Sequence, residues 1–560
     1  YRPDYQAVVV VGDIDVDAVD NKIKTLMADI PAPAADASQK ETIVVPDNEE
    51  PIVSIFTDPE MQGTKVQLFI KRPALPEQLA NTVVAEANNV IEAYMTTMEN
   101  ARLQEIAMQP DAPFLGAGMG TGDMIGIIPT LNATVFVAMT QDGKLARGFE
   151  TLCTELERVR RHGFTQGEFE RAQENLMRQA ERTYANRNDR RNGEFVQTYL
   201  NNYSKNTPMP DAETEWQLDS MLIKMLNVDA VNAFAAQTIT PNNQVIIVTA
   251  PEKEGLAAPT AEELLAIRDK VAAGEVAAYE DNVVKEPLIP EGTVLKGSPV
   301  KKTVEDAELG TTEWTLANGA KVVVKHTDFK ADEVRMSAVA KGGLSVLSDG
   351  EFYMGEMMPA VNSMSGVGKF PATELKKQLS GKTASVQPSV ENYASVMKGV
   401  CSPKDIETML QLLYLNFTQP RFDRNDYDNL IKMLRSQLEN ARTNPDYLMQ
   451  EKVADVTYVK GEVAEEFTAP MQQPKVSVVY YFSGKMPYTF KDKVALTFLT
   501  QALDSRYLIS IREEKGGTYG VSVQGSTEYI PRETYDMTIS FDTNEEMADE
   551  LCEIVMKEIE

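Results

Sequence analysis

His162 and His326 are the only two histidines in the 560-residue sequence. They lie too far apart to share a helical turn, so the i, i+4 two-histidine zinc helix cannot form from them. His162 ends the charged run Arg158-Val159-Arg160-Arg161-His162 before Gly163, where a positive charge suits a helix C-terminus. His326 follows the strand Lys321-Val322-Val323-Val324-Lys325 and reads as surface. Cys153, Cys401 and Cys552 are odd in number, widely spaced and without a C-x-x-C pair, which points to buried thiols rather than a disulfide framework or a thiolate zinc site. Glu168, Glu170 and Glu174 read as a solvated helix face, not an acid/base pair. Gly116-Ala117-Gly118-Met119-Gly120-Thr121-Gly122 opens no helix and precedes no Gly-Lys-Ser/Thr, so it reads as a flexible loop beside a sheet edge rather than a phosphate cradle. Arg512 and Tyr519 stand in Ile511-Arg512-Glu513-Glu514-Lys515-Gly516-Gly517-Thr518-Tyr519-Gly520. By themselves they read as a surface helix charge and a strand core residue.

The elements that would hold this pair repeat along the chain. Phe56-Thr57-Asp58-Pro59-Glu60-Met61-Gln62-Gly63-Thr64-Lys65-Val66 is echoed by Phe467-Thr468-Ala469-Pro470-Met471-Gln472-Gln473-Pro474-Lys475-Val476. Each leads into an alternating strand, Val66, Leu68, Ile70 against Val476, Val478, Tyr480. An apolar helix follows (78–100 and 490–510), then a glycine-containing loop. Next come a second strand, Thr134–Ala138 against Met537–Phe541, and a helix with Leu152-Cys153 or Leu551-Cys552. The stretch Ala107–Phe114 answers to the Arg512–Tyr519 stretch with Met and Phe in the key places. The first copy runs on through a capping box, Thr165-Gln166-Gly167-Glu168, to the strand Gln244–Val248. The second copy stops soon after Cys552. Helices mixed with antiparallel strands, rather than a βαβ succession, give an α+β class.

Trp314–Val323 carries a hairpin signal at Asn318-Gly319, and Ser402-Pro403 opens a helix. Residues 256–305, with a capping box at Thr260–Glu263 and Pro287, Pro290 and Pro299, read as an extended linker. Ala7–Asp13 reads as a buried strand and Asp15 as the cap of the next helix. No such tail strand precedes Phe467, so a break of several tens of residues is expected between Tyr458 and Val459. The expected domains are 1–50 (tail of a first module), 51–255 (second module), 256–312 (linker), 313–458 (incomplete third module) and 459–560 (truncated fourth module).

The composition, 43% hydrophobic and 25% charged, is that of a globular protein, with no apolar run of the ~18 residues a membrane span needs. A net charge of −29 disfavours nucleic acid as a partner.

Tandem α+β modules joined by a long linker resemble the pitrilysin/insulinase family of zinc metallopeptidases, specifically its long-chain, four-module bacterial branch. The marks are Tyr1-Arg2-Pro3-Asp4 with Val8-Val9-Val10-Val11-Gly12-Asp13, and Ile511–Gly520. The resemblance implies two halves of a clamshell that encloses peptides or unfolded polypeptide. It implies zinc in the parent protein, held by a His-x-x-Glu-His motif upstream of Tyr1, and no metal bound by this fragment, which is expected to be inactive alone. Met357-Met358-Pro359-Ala360-Val361 stands at the zinc-motif place of the third module without a ligand. The resemblance assigns Tyr519 to the tetrahedral intermediate and Arg512 to the substrate backbone, as catalytic and substrate-binding residues. It implies a periplasmic or cell-envelope location. The alternatives are a non-catalytic partner or scaffold subunit of a heterodimer, or a peptide-binding chamber.

Overall fold

The computed structural model describes residues 2–34, 43–123, 128, 130–283, 286–442, 444–457, 459, 461–471 and 473–559. Tyr1, Tyr458 and Gln472, which enter the expectations above, lie outside these. Two compact units are present, Tyr1–Gln437 and Leu438–Glu560. Both are α+β, small sheets packed with helices.

The first unit is built on a five-stranded sheet. Its strands are β1 (Ile52–Asp58), β2 (Thr64–Pro73), β3 (Gly116–Gly122), β4 (Leu131–Thr140) and β5 (Gln244–Pro251), in the order β1-β5-β2-β4-β3. All neighbours are antiparallel except β1 and β5. Strand side chains alternate between faces, so Val66, Leu68 and Ile70 of β2 and Ile246 and Val248 of β5 point into one buried layer. Helices Val83–Ala107 and Leu145–His162 add Tyr94, Met95, Phe149 and Leu152 to that core. Each such side chain contributes roughly 1.5–3 kcal/mol by leaving water.

Three expectations are corrected in this unit. The glycine-rich stretch 116–122 is not a loop but the edge strand β3. Asn100 explains it: its Oδ1 accepts the Met119 N–H at 2.8 Å and its Nδ2 donates to the Met119 carbonyl at 3.0 Å. A Cβ at Gly118 would come within 3.3 Å of that same Oδ1, a close approach that favours glycine. Ala7–Asp13 forms no strand; no partner pairs with it among the described residues, and Val8 and Val10 stay exposed. Asp15 does cap the helix Val16–Leu26, accepting the Ala18 N–H at 3.0 Å.

The third correction concerns Glu168, which is buried rather than solvated; Glu170 and Glu174 are exposed. Glu168 closes the expected capping box with Thr165. It also takes a two-pronged ion pair from the fully buried Arg102, Nε at 2.6 Å and Nη2 at 2.8 Å. The Arg102 guanidinium lies over the rings of Phe164 and Tyr279, at 4.8 and 4.4 Å from their centroids. Glu99 and Glu155 are buried nearby, and neither Glu99 oxygen has a hydrogen-bond partner among the described residues. Burial, and next the Glu155 charge, push the Glu99 carboxyl well above its ordinary value of 4.5. The folded state therefore holds a proton that the unfolded state releases, and stability falls as pH rises above that value. Glu99→Gln is neutral at every pH. It is expected to raise the melting temperature at pH 8 and leave it unchanged at pH 4. Equal shifts at both pH values in thermal melts would show that Glu99 is not protonated in the fold.

Residues 256–305 are only partly extended. Thr260 and Glu263 form the expected capping box of the helix Ala261–Ala273, which buries Leu264 and Val271. The following strap is held by charges. Arg161 donates to the Gly274 and Ala272 carbonyls (2.7 and 2.6 Å), Arg171 grips Asp281 (2.7 Å), and Lys377 donates to the Asn282 carbonyl (3.1 Å). Leu288 then enters a small core with Val367, Phe370, Leu412 and Leu415. Strands β6 (Val300–Asp306), β7 (Thr311–Leu316) and β8 (Lys321–Lys325) form one antiparallel sheet, turning at Gly319 with φ 90°. Strands β9 (Val334–Lys341), β10 (Ala384–Val390) and β11 (Ala394–Cys401) form another, ordered β10-β11-β9. Cys153 and Cys401 are buried, Cys552 half-buried, and all three are free.

In the second unit, β12 (Val476–Lys485), β13 (Val521–Glu528) and β14 (Thr534–Thr543) are ordered β12-β14-β13. They pack with helices Phe490–Tyr507 and Ala548–Ile559 around Tyr507, Ile511, Ile539, Leu551 and Val555. The ladders refine the repeat. With Ala138 matched to Phe541, their partners Val66 and Val478 match, two residues beyond the expected Val476. The helices agree: Asp504 Oδ1 accepts the Val523 N–H at 3.3 Å, as Asn100 does for Met119. The expected break after Tyr458 falls on a residue outside the described set. The Val459 N–H donates to the Val456 carbonyl at 3.0 Å, closing a turn at the end of the helix Pro445–Thr457.

Candidate functional site at the Arg512–Tyr519 turn

Tyr507 and Ile511 anchor the end of the helix that presents the site. Both are fully buried, and the Tyr507 hydroxyl donates to the Val555 carbonyl at 3.0 Å. Beyond Tyr507 the backbone widens into a single π-turn, Leu508–Glu513, where the Glu514 N–H reaches the Ile509 carbonyl at 2.9 Å. Such turns recur at functional sites because they re-aim side chains at a helix end. Here Ile511 points into the core while Arg512 is exposed.

The chain then reverses through Gly516, whose φ of 63° suits glycine. Gly517 is wedged against the next helix: a Cβ there would lie 2.8 Å from both Leu551 Cδ1 and Met547 Cε. Its carbonyl accepts the buried Thr543 hydroxyl at 2.7 Å. The Thr518 hydroxyl bonds the Gly520 carbonyl at 3.0 Å, fixing the residue between them. That residue, Tyr519, is 101% exposed, so the reading of it as a core residue is set aside. Among the described residues neither Tyr519 nor Arg512 has a side-chain hydrogen bond or ion pair. A phenol and a guanidinium are thus held out to solvent on a fixed turn, able to donate to a carbonyl or an oxyanion.

One other charged cluster pairs within itself. A cavity of about 330 Å³ in the first unit is lined by Glu105, Arg171, Tyr279 and Lys377. There Tyr279 and Lys377 both bind Glu105, at 2.7 and 2.8 Å, and Arg171 binds Asp281. These contacts hold the strap.

Among the described residues no group of three His, Cys, Asp or Glu side chains is placed to hold a metal ion. His162 Nε2 sits 2.7 Å from the Val276 carbonyl and His326 is exposed, so the residues present do not fit a zinc centre. The Met357–Val361 segment lies within the helix Phe352–Ser365, with Pro359 inside it. No helix among the described residues is long and apolar enough to cross a membrane.

Sequence reasoning placed Arg512 and Tyr519 but missed the Thr543–Gly517 and Asp504–Val523 bonds that fix the turn. It also matched Tyr519 to Phe114. The ladders pair Val521 with Phe541 and Ala117 with Ala138, so Tyr519 answers to Leu115 and Arg512 to Met108.

A family profile described as "Peptidase M16 inactive domain" matches residues 1–176 and 365–560. Similar curated proteins include a "Zinc protease PQQL-like" protein of Arabidopsis thaliana, 24% identical over 81% of this chain and 41% of that protein. Another is the "Probable zinc protease PqqL" of Escherichia coli K12, 22% identical over 85% of this chain and 50% of that protein. The chain thus spans half or less of the length of these relatives. A crystal structure of a mutant of the ferredoxin protease FusC, in complex with Arabidopsis ferredoxin, has a similar fold, with a TM-score of 0.58 at 14% identity over 98% of this chain and 68% of that one. With most of its length under the family profile, the chain belongs to the Peptidase M16 inactive-domain family, within the pitrilysin/insulinase peptidases.

Proposed function

We propose that this chain is the non-metal portion of a zinc-dependent peptidase that encloses and hydrolyses peptides or unfolded polypeptide, and that Arg512 and Tyr519 are what it contributes to the reaction. The observation that carries this reading is the fully exposed, unpartnered Tyr519 on a turn locked by Gly517 and Thr543. An extended substrate offers backbone carbonyls. Arg512 donates to one of them in the bound state, and Tyr519 donates to the carbonyl oxygen that gains negative charge during hydrolysis. Among the described residues no cluster is placed to hold the zinc, so the attacking water and its activation are assigned to a separate zinc-binding module. The periplasm or cell envelope is proposed as the location, after the Escherichia coli relative, whose solved structure is described as that of a periplasmic protease.

The test is steady-state kinetics on an unstructured peptide, with the chain extended upstream by a family zinc-binding module. Arg512→Ala is expected to raise KM by roughly tenfold, the worth of one hydrogen bond to a charged group, and to lower kcat as well. Zinc content is measured in each variant after dialysis, and the unextended chain should hold well under one zinc. Unchanged KM and kcat would remove Arg512 from the site. Equal activity with the zinc module supplied as a separate polypeptide would favour the partner-subunit reading.

A further inference from the structure

In the first unit, residues 107–115 are the counterpart of the turn that carries Arg512 and Tyr519. That turn holds Tyr519 out to solvent, fully exposed. Its counterpart is met by another helix instead, Arg424–Ala441, whose Asn429 Nδ2 donates to the Gln109 carbonyl at 3.1 Å. Beside this contact lies a cavity of about 270 Å³. Leu115, the residue that answers to Tyr519, lines it together with Met364 and Met433. Met364 belongs to the helix Phe352–Ser365, and Met433 to Arg424–Ala441.

The charges around this cavity do not balance. Lys144, Arg147 and Lys432 line it, and Asp111 is the only carboxylate that does so among the described residues. Arg147 already occupies Asp111, donating to its backbone carbonyl at 2.7 Å and pairing with its carboxylate at 2.8 Å. Arg147 first, then Lys432 and Lys144, hold the Asp111 carboxyl below its ordinary value of 3.8, so both lysines lie within reach of its charge. Yet neither Lys144 nor Lys432 has an ion pair or a side-chain hydrogen bond among the described residues. The chain holds 84 Asp and Glu against 55 Lys and Arg, so carboxylates to pair with are plentiful. Two lysines left without one at a single cavity, above an apolar wall, suit an anion carried on an apolar body.

We infer that this cavity binds an acidic residue of a polypeptide, its carboxylate held by Lys144 and Lys432 and a neighbouring apolar side chain set against Leu115, Met364 and Met433. The anion site stands on the cavity and its excess of cations. That the carboxylate belongs to a polypeptide rests on the proposed peptidase reading. The tip that presents Arg512 and Tyr519 in one copy thus serves, in the other, as one wall of a second hold on the substrate chain, without chemistry of its own.

The probes are acetyl-Leu-Glu-Leu-amide, its neutral counterpart acetyl-Leu-Gln-Leu-amide, and acetyl-Leu-Gln-Leu with a free C-terminal carboxylate. Each is titrated calorimetrically into the whole chain, which needs no zinc module for this measurement. The Glu peptide is expected to bind about tenfold more tightly than the Gln amide, the worth of one hydrogen bond to a charged group, and the ratio should shrink with added salt. The double variant Lys144→Gln with Lys432→Gln should bring the ratio within about twofold. Its melting temperature should be that of the wild type, because both lysines are exposed and without partners among the described residues. Equal binding of the Glu and Gln amides would overturn the inference, and so would a ratio unchanged in the double variant. A preference for the free C-terminus, with the two amides bound alike, would overturn the assignment to an acidic side chain. A ratio lost in Arg512→Ala and kept in the double lysine variant would place the peptide at the Tyr519 turn, overturning this inference while supporting the proposed function.

Discussion

Tyr519→Phe, in a chain extended by a zinc-binding module, is expected to lower kcat by about 10²–10³-fold while leaving KM within about twofold. The phenol oxygen is the only atom removed. Tyr519 is fully exposed and bonds to nothing else among the described residues, so its hydroxyl contributes no folding energy that could confuse the result. A donor that meets the carbonyl oxygen chiefly when charge develops there stabilises the transition state more than the bound substrate, and that difference appears in kcat. The variant should melt at the wild-type temperature. Wild-type turnover in Tyr519→Phe would withdraw the site assignment and leave the fold and family standing.

The largest stability loss is expected from Arg102→Ala, about 3–5 kcal/mol, because it leaves Glu168 buried with its partner gone. For a unit of this size the melting temperature should fall by roughly 10 °C. The guanidinium also fills the space between the Phe164 and Tyr279 rings, so part of the loss is packing. The double change Arg102→Met with Glu168→Leu separates the two effects. It removes both charges while keeping the volume filled, and is expected to recover most of the loss. A double variant no more stable than Arg102→Ala would mean that the ion pair, not the cost of a stranded carboxylate, sets the effect. Calorimetry at neutral pH decides it.

Much of this architecture was legible because strands and caps are written locally. Val66-Leu68-Ile70 alternates, and Thr165 and Glu168 stand in capping-box register. What was illegible is instructive. The repeat was matched two residues out of place at β12, and a two-residue slip keeps every strand side chain on its own face, so periodicity could not detect it. Glu168 was read correctly as a cap and wrongly as solvated, since its second partner, Arg102, lies 66 residues away. The glycine-rich β3 looked like a loop because the reason for its glycines, Asn100, sits on a different element. The proline-rich stretch after Ala273 looked like a free linker, yet its binding partners, Arg161, Arg171 and Lys377, are distant charges. The Arg512–Tyr519 pair was found through family resemblance alone. Nothing in its local chemistry announces that one residue would stand bare while Ile511 beside it is buried.

The clamp between helix and strand, Asn100 to Met119 in one copy and Asp504 to Val523 in the other, has a bearing on ancestry. It secures the frame of each copy without involving the residues at the tip, Met108 and Leu115 in one, Arg512 and Tyr519 in the other. After a duplication, the tip of one copy can therefore drift without unfolding the copy that bears it. On the proposed reading of Arg512 and Tyr519, a copy of this fold can carry other residues at its tip and persist as architecture.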